Sequence, residues 1–208
     1  MSQYLNWWST PIAFDHDDHP GRVIAPGIYT LIDDPIIVNT QLSKVLMDGS
    51  SSLNIIYLEA LRLLGIERAQ LQPSVGGFHG VVPGMKALPV GRIDLPVCFG
   101  MAANFRKETL TFKVVGFRGT YHSIIKCLGY AKFMAIPNYT YLKLKMPGPK
   151  GVITVSSSYE HAYKCDVECV EYEEAVENTM SSLQGSRPTP LRFLSQSAMR
   201  VALSQQKA

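Results

Sequence analysis

The segment best suited to chemistry is the apolar run Val45–Met47, which ends in Asp48 and continues into Gly49 and three serines. Small residues let the backbone turn sharply after a strand, and their hydroxyl and N–H groups can donate hydrogen bonds to the carboxylate. Such a carboxylate could serve acid–base hydrolysis, in which two carboxylates share one proton, one acting as base towards water and the other as acid. An Asp-Gly pair at a strand end is also the composition of an ordinary turn.

A site of this type needs two carboxylates, and the chain has one aspartate in the required setting. Asp94 precedes Leu-Pro, and Asp33 and Asp34 precede Pro35, so none of them opens a loop of small residues. We therefore expect two copies of the chain, related by a two-fold axis, each to contribute Asp48. The expected partners are then a second copy in a homodimer and an extended polypeptide substrate.

A glycine-rich segment lies between Gly76 and Gly91. Val82, Pro83 and Gly84 are predicted to lie at the turn of a hairpin within it. Such a hairpin could be a flap that closes over an extended peptide and excludes water. An ordinary exposed hairpin would have the same composition.

Most of the elements around these segments are predicted to be short strands. Apolar or alternating runs occur at 29–38, 42–47, 78–82, 87–90, 93–99, 109–115, 121–125, 139–146 and 152–155. The last two are predicted to form a hairpin across 147–151. Many short strands at this spacing favour a small barrel or sandwich.

Two helices are predicted. Apolar residues at 53, 56, 57, 60, 61 and 64 share one helical face, with Ser51 or Ser52 as N-cap and Gly65 just past the end. Residues 157–178 form a predicted acidic helix. The remainder of the chain, rich in Ser, Gln and Pro, is predicted to be a flexible tail.

Composition bounds the class of protein. The 208 residues are 46% hydrophobic and 18% charged, which argues against a wholly disordered chain and against a coiled coil. No stretch approaches the roughly 18 apolar residues of a membrane span, and no secretory signal pattern is present at the N-terminus. We therefore expect an intracellular, cytoplasmic protein without a membrane partner and with reduced cysteines. No metal site and no cofactor are predicted.

Charge is unevenly distributed along the chain, although the net charge is only +3. Residues 86–150 are strongly basic and residues 157–178 are acidic. A solvated basic surface is the favoured interpretation, because no aromatic-plus-basic RNA-binding pattern accompanies it. Nucleic-acid binding is the weaker alternative, and its salt dependence would test it.

From about residue 4 to residue 155 the sequence resembles the protease segment of plant gypsy-type LTR retrotransposon Gag-Pol polyproteins. The blocks that carry the resemblance are residues 45–57, 78–84, 95–100, 108–117 and 130–148. The resemblance implies a retropepsin-like fold, a small closed β-barrel with one or two short helices. It also implies an aspartic endopeptidase that cleaves the polyprotein, inside a virus-like particle if the element is active, with Asp48 catalytic and Gly49, Ser50 and Ser51 in the active-site loop.

The sequence departs from the family pattern in two places. The family has glycine where this chain has Ser50, and most retropepsins have Thr or Ser where it has Gly49. The family usually has Ile-Leu-Gly-Arg where this chain has Ile-Ile-Lys-Cys at 124–127, so Lys126 replaces a glycine. These changes raise the alternative of a catalytically decayed domain that serves at most as a dimerisation or peptide-binding module.

The resemblance also suggests a division of the chain. Residues 1–25 are predicted to be an irregular arm and residues 26–155 the retropepsin-like domain. Residues 156–208 are predicted to be an acidic and then flexible connector towards a polymerase region that the sequence does not contain.

Overall fold

The structure, a computed structural model, describes residues 11–21, 27–50, 52–74, 76–77, 88–116 and 119–184. Its strands are β1 (Leu31–Asp33), β2 (Ile36–Ile37), β3 (Thr40–Gln41), β4 (Val45–Met47), β5 (Ile55–Tyr57), β6 (Gly91–Met101), β7 (Asn104–Val115), β8 (Ser123–Ile125), β9 (Ile136–Asn138), β10 (Lys143–Gly148) and β11 (Gly151–Ser156). Its α-helices are α1 (Leu58–Leu63), α2 (Cys127–Phe133) and α3 (Tyr159–Gln184). The prediction of a mainly β fold is confirmed.

Two sheets organise these strands. The larger has eight strands in the order β1-β4-β8-β5-β7-β6-β2-β3, and the smaller has the order β11-β10-β9. Within the large sheet β4 runs parallel to β8, with Met47 opposite Ile125, so both strands end at the same edge. This parallel pair places the residue after β4 beside the residue after β8.

The core lies on the inner face of the large sheet. Along β6 the buried residues Leu95, Val97 and Phe99 alternate with more exposed ones, as expected for a strand with one face packed on the core. The short central strands β4, β5 and β8 are almost wholly buried. The strands that lead to the candidate site are therefore held by packing on both sides.

The helix predicted from residue 53 begins later than expected. Ile55–Tyr57 is strand β5, and the helix occupies only Leu58–Leu63. Ile56 pairs with Ser123 on one side and Val114 on the other, and these ladders outweigh the helical spacing of the apolar residues. The N-cap is accordingly Tyr57 rather than Ser51 or Ser52. Gly65 has φ +69°, as expected for the residue that ends a helix.

Other predictions have mixed outcomes. The hairpin near the end of the fold is confirmed as β10 and β11, although β10 begins at Lys143 because the Asn138 side chain closes a turn before it. The acidic helix is confirmed as α3, but it extends to Gln184, so the prediction of a flexible tail is wrong for residues 179–184. Helix α2 was not predicted. Residues 78–87, including the predicted flap turn, and residues 185–208 lie outside the described residues.

Helix α3 packs against the first strands of the large sheet. Ala162 and Cys165 are fully buried, and the Lys44 ammonium contacts the Glu168 carboxylate at 2.5 Å. The hydroxyls of Tyr29 and Tyr159 lie 3.1 Å apart. The acidic segment is therefore packed on the β domain over this stretch.

No helix of the described residues is both long enough and apolar enough to cross a membrane.

Candidate active site

Asp48 is the first residue after β4, at the edge where β4 and β8 end together. Its backbone N–H donates to the Ile125 carbonyl oxygen at 2.9 Å, which continues the parallel ladder by one residue. The Asp48 side chain is 25% exposed, so the carboxylate can meet solvent or a partner. This placement agrees with the sequence prediction of a carboxylate at a strand end.

Ser50 holds both oxygens of the Asp48 carboxylate. Its backbone N–H donates to Oδ1 at 2.9 Å and its hydroxyl donates to Oδ2 at 2.9 Å. The described non-glycine residues with positive φ are Val38, Lys44, Met134 and Leu142. Ser50 is not among them, so the serine in this position does not require left-handed backbone geometry.

Lys126 is the first residue after β8, and its ammonium faces the same carboxylate. Nζ donates to Asp48 Oδ2 at 2.9 Å. The Lys126 side chain is only 8% exposed, so the ammonium is largely removed from water where it contacts Asp48. An ion pair with one deeply buried partner is held more firmly than a surface pair, because leaving a buried charge alone is costly.

The Asp48 carboxyl is subject to opposing influences. Burial raises its pKa, whereas hydrogen bonds from Lys126 and Ser50 and the positive charge of Lys126 lower it. The lowering influences prevail, so the pKa of Asp48 lies below its ordinary value. The site as built therefore favours an ionised Asp48.

Asn54 fixes the backbone of Lys126. The Asn54 amide oxygen accepts the Lys126 N–H at 2.9 Å, and its amide nitrogen donates to the Thr111 carbonyl oxygen at 3.2 Å. Asn54 is 5% exposed, so these groups have little access to water. One buried side chain thus connects the start of β5 to β7 and to the N-terminus of α2.

Two tyrosines lie beside the active-site loop. The Tyr139 hydroxyl accepts the Gly49 N–H at 3.2 Å. A Cβ at position 49 would lie 3.4 Å from both the Tyr130 ring and the Tyr139 hydroxyl, which is ordinary van der Waals contact. The pKa of Tyr130 lies well above its ordinary value. Burial is the main cause, and the nearby Tyr139 and Asp48 add to it.

The predicted site residues divide into two groups. Asp48, Gly49 and Ser50 lie together, whereas Ser51, Val82, Pro83 and Gly84 lie outside the described residues. Lys126 was predicted only as a departure from a family pattern, and its contact with Asp48 was not predicted.

Sequence reasoning also missed Asn54 and Tyr139. A usable signal existed for Lys126: like Asp48, it directly follows a short apolar run. Asn54 and Tyr139 carry no comparable local pattern, because their contacts with the site are non-local.

Among the described residues, one group of neighbouring side chains has the composition of a metal site. It consists of Asp15, His16 and Asp17, which are all exposed. Asp15 caps a short 3-10 turn over His16–Asp18, accepting the Asp17 N–H and donating its own N–H to the Asp18 side chain. Turn geometry therefore accounts for this cluster.

No family model matches the sequence, and no curated protein matches it. Among solved structures, the chain is similar to the retroviral protease-like domain of Ddi1 from Leishmania major, with TM-score 0.42 and 12% identity over 62% of this chain and 94% of that one. It is also similar to a retropepsin-like aspartic protease from Rickettsia conorii, with TM-score 0.41 and 14% identity over 61% of this chain and 86% of that one.

Proposed function

We propose that the chain is an aspartic-type endopeptidase domain of the retropepsin kind, acting as a homodimer in which each copy contributes Asp48. The observation that carries the proposal is the carboxylate at the end of β4, partly exposed and held by two hydrogen bonds from Ser50. A partly exposed carboxylate whose position is fixed in this way supports a role in acid–base hydrolysis, because a general acid or base must be held in one place beside the bond that it acts on.

The chemistry follows from a pair of such carboxylates. One takes a proton from a water molecule as the water oxygen attacks the peptide carbonyl carbon, and the other donates its proton to the carbonyl oxygen. When the tetrahedral intermediate collapses, one member of the pair donates its proton to the amine nitrogen as the C–N bond breaks. The other member takes the proton of a hydroxyl on the same carbon, so a carboxylic acid forms and the pair again holds one proton. Two like charges at close range favour sharing one proton, which supplies the acid and the base together.

The substrate proposed is an extended polypeptide, and by the sequence resemblance a junction of a Gag-Pol-type polyprotein. Extended peptides are bound largely through backbone hydrogen bonds to strands or hairpins. A flap around residues 82–84 is proposed to close over the bound peptide.

A non-catalytic dimerisation or peptide-binding module is the second candidate, and the Lys126–Asp48 contact is the observation that favours it. An ammonium at 2.9 Å from the carboxylate competes with the shared proton that hydrolysis needs. Such a module would keep the fold and the dimer and would bind peptide without cutting it.

The experiment is cleavage of a polyprotein-junction peptide between pH 3 and 7, with oligomeric state measured by analytical ultracentrifugation. Asp48→Asn should abolish cleavage, pepstatin should inhibit it, and Asp94→Asn, a change at an exposed aspartate on β6, should leave it unchanged. Cleavage that does not depend on Asp48 would refute the proposed aspartic peptidase. No cleavage by a folded dimer across that pH range, in the wild type and in variants lacking Lys126, would also refute it and would favour the non-catalytic module.

A further inference from the structure

We propose that Lys126 is a built-in counter-ion of the active site, which holds the Asp48 carboxylate ionised and thereby confines hydrolysis to acidic solution. This inference rests on the proposed function, because it concerns the pH range in which that same site works. It assigns a role to a residue that is otherwise only a substitution in a family pattern.

The geometry leaves Lys126 little freedom to withdraw. Its N–H is bound by Asn54, and its carbonyl oxygen accepts the N–H groups of Gly129 at 2.8 Å and Tyr130 at 3.2 Å. Its side chain is 8% exposed, and its ammonium donates to Asp48 Oδ2 at 2.9 Å. Backbone and side chain are thus both fixed at the point where β8 passes into α2.

The other groups around Asp48 do not offset this charge. These other titratable groups are Tyr130 on α2 and Tyr139 in the loop after β9. Tyrosine phenols are uncharged in acidic solution. Among the described residues, Lys126 is therefore the cation that contacts the Asp48 carboxylate.

The consequence for a dyad follows from proton linkage. The pair works only while it retains one shared proton, and activity falls as that proton is lost with rising pH. A nearby ammonium favours the deprotonated form, so the proton leaves at a lower pH than it would without Lys126. The alkaline limb of the pH–rate profile should therefore move to higher pH when the charge of Lys126 is removed.

The kinetic experiment compares pH–rate profiles of the wild type, Lys126→Met and Lys126→Gly. Methionine keeps the volume without the charge, and glycine removes both. We expect the alkaline limb to move up by about one pH unit or more in each variant, giving about tenfold more cleavage just above the wild-type limb. Lys132→Met, on the exposed part of α2, is the matched control and should leave the profile unchanged. Superimposable profiles for the wild type and Lys126→Met would overturn the inference.

A second measurement does not depend on cleavage. The ¹³Cγ resonance of Asp48 is titrated by NMR in the wild type and in Lys126→Met, after circular dichroism confirms that both are folded. A higher titration midpoint in Lys126→Met supports the counter-ion role, and equal midpoints refute it. If the midpoint rises but no folded, dimeric variant cleaves peptide, the proposed peptidase function fails, and with it the confinement of hydrolysis to acidic solution, while the role of Lys126 as counter-ion of Asp48 stands.

Discussion

Lys126 and Asp48 lie 78 positions apart in the sequence, yet Lys126 Nζ donates to Asp48 Oδ2 at 2.9 Å. Each residue directly follows one strand of the parallel pair β4 and β8, so the same ladder that aligns the strands brings the two charges together. The carboxylate is also held by Ser50, and the lysine backbone by Asn54. The electrostatics of the site are therefore determined by the register of the sheet.

The first prediction concerns the stability contributed by the ion pair. In a double-mutant cycle with Asp48→Asn and Lys126→Met, we expect a coupling free energy of about 1–3 kcal/mol at pH 7, measured by urea unfolding. The pKa of Asp48 is lower in the folded protein than its ordinary value. The coupling should therefore be fully present above the unfolded-state pKa of about 3.9 and disappear as pH falls through the folded-state pKa. Coupling that is absent at pH 7, or that persists unchanged to pH 2, would contradict this prediction.

The second prediction concerns Asn54 as the anchor of the α2 N-terminus. Asn54→Ala leaves the buried Lys126 N–H and Thr111 carbonyl without their side-chain partner, so the free energy of unfolding should fall by about 2–4 kcal/mol. Asn39→Ala, in the exposed turn between β2 and β3, is the control and should change it by less than about 0.5 kcal/mol. Equal effects of the two substitutions in chemical denaturation would show that Asn54 is not an anchor.

The third prediction compares two glycines near the site. A Cβ at Gly129 would lie 2.5 Å from Ile125 Cγ2, whereas a Cβ at Gly49 would meet nothing closer than 3.4 Å. Gly129→Ala should therefore destabilise the fold by about 1–3 kcal/mol despite the better helix propensity of alanine. Gly49→Ala should be tolerated within about 0.5 kcal/mol. Thermal unfolding of both variants measures the difference, and a stable Gly129→Ala protein would argue against the close packing of α2.

The fourth prediction concerns the segment at residues 11–19. The Asp18 carboxylate contacts the ammonium groups of Lys143 at 3.1 Å and Lys145 at 2.5 Å, so it joins this segment to β10. The hydrogen bond from Lys145 lowers the pKa of Asp18, and the attachment should weaken only in strongly acidic solution. At neutral pH, Asp18→Asn should speed limited proteolysis within residues 11–19, with Asp17→Asn as the exposed control. Equal cleavage rates in the two variants would mean that these ion pairs do not retain the segment.

The sequence was sufficient for the features that depend on local pattern. Three of them are the apolar run before Asp48, the alternation in β6 and β7, and the β10–β11 hairpin. Each can be read from residues that are neighbours in the sequence, and each appears in the structure. The acidic helix predicted at residues 157–178 corresponds to α3. The local pattern predicted the wrong structure at Ile55–Tyr57. These residues have the spacing of a helix but form strand β5, because they pair with β7 and β8.

The contacts within the site could not be predicted from local pattern. The Lys126–Asp48 ion pair depends on the parallel register of β4 and β8, and the Asn54–Lys126 bond depends on the place of β5 beside β8. These are consequences of strand order, which no single segment of the sequence encodes.

Peptide cleavage measured against pH in Lys126→Gly and in the wild type, each with and without Asp48→Asn, tests the proposed peptidase and the role of Lys126 together. We predict cleavage by both proteins in acidic solution, an alkaline limb at higher pH in Lys126→Gly, and complete loss when Asp48→Asn is added to either. No cleavage by folded, dimeric Lys126→Gly at any pH, or cleavage that survives Asp48→Asn, would contradict the assignment of the chain as an aspartic peptidase that depends on Asp48.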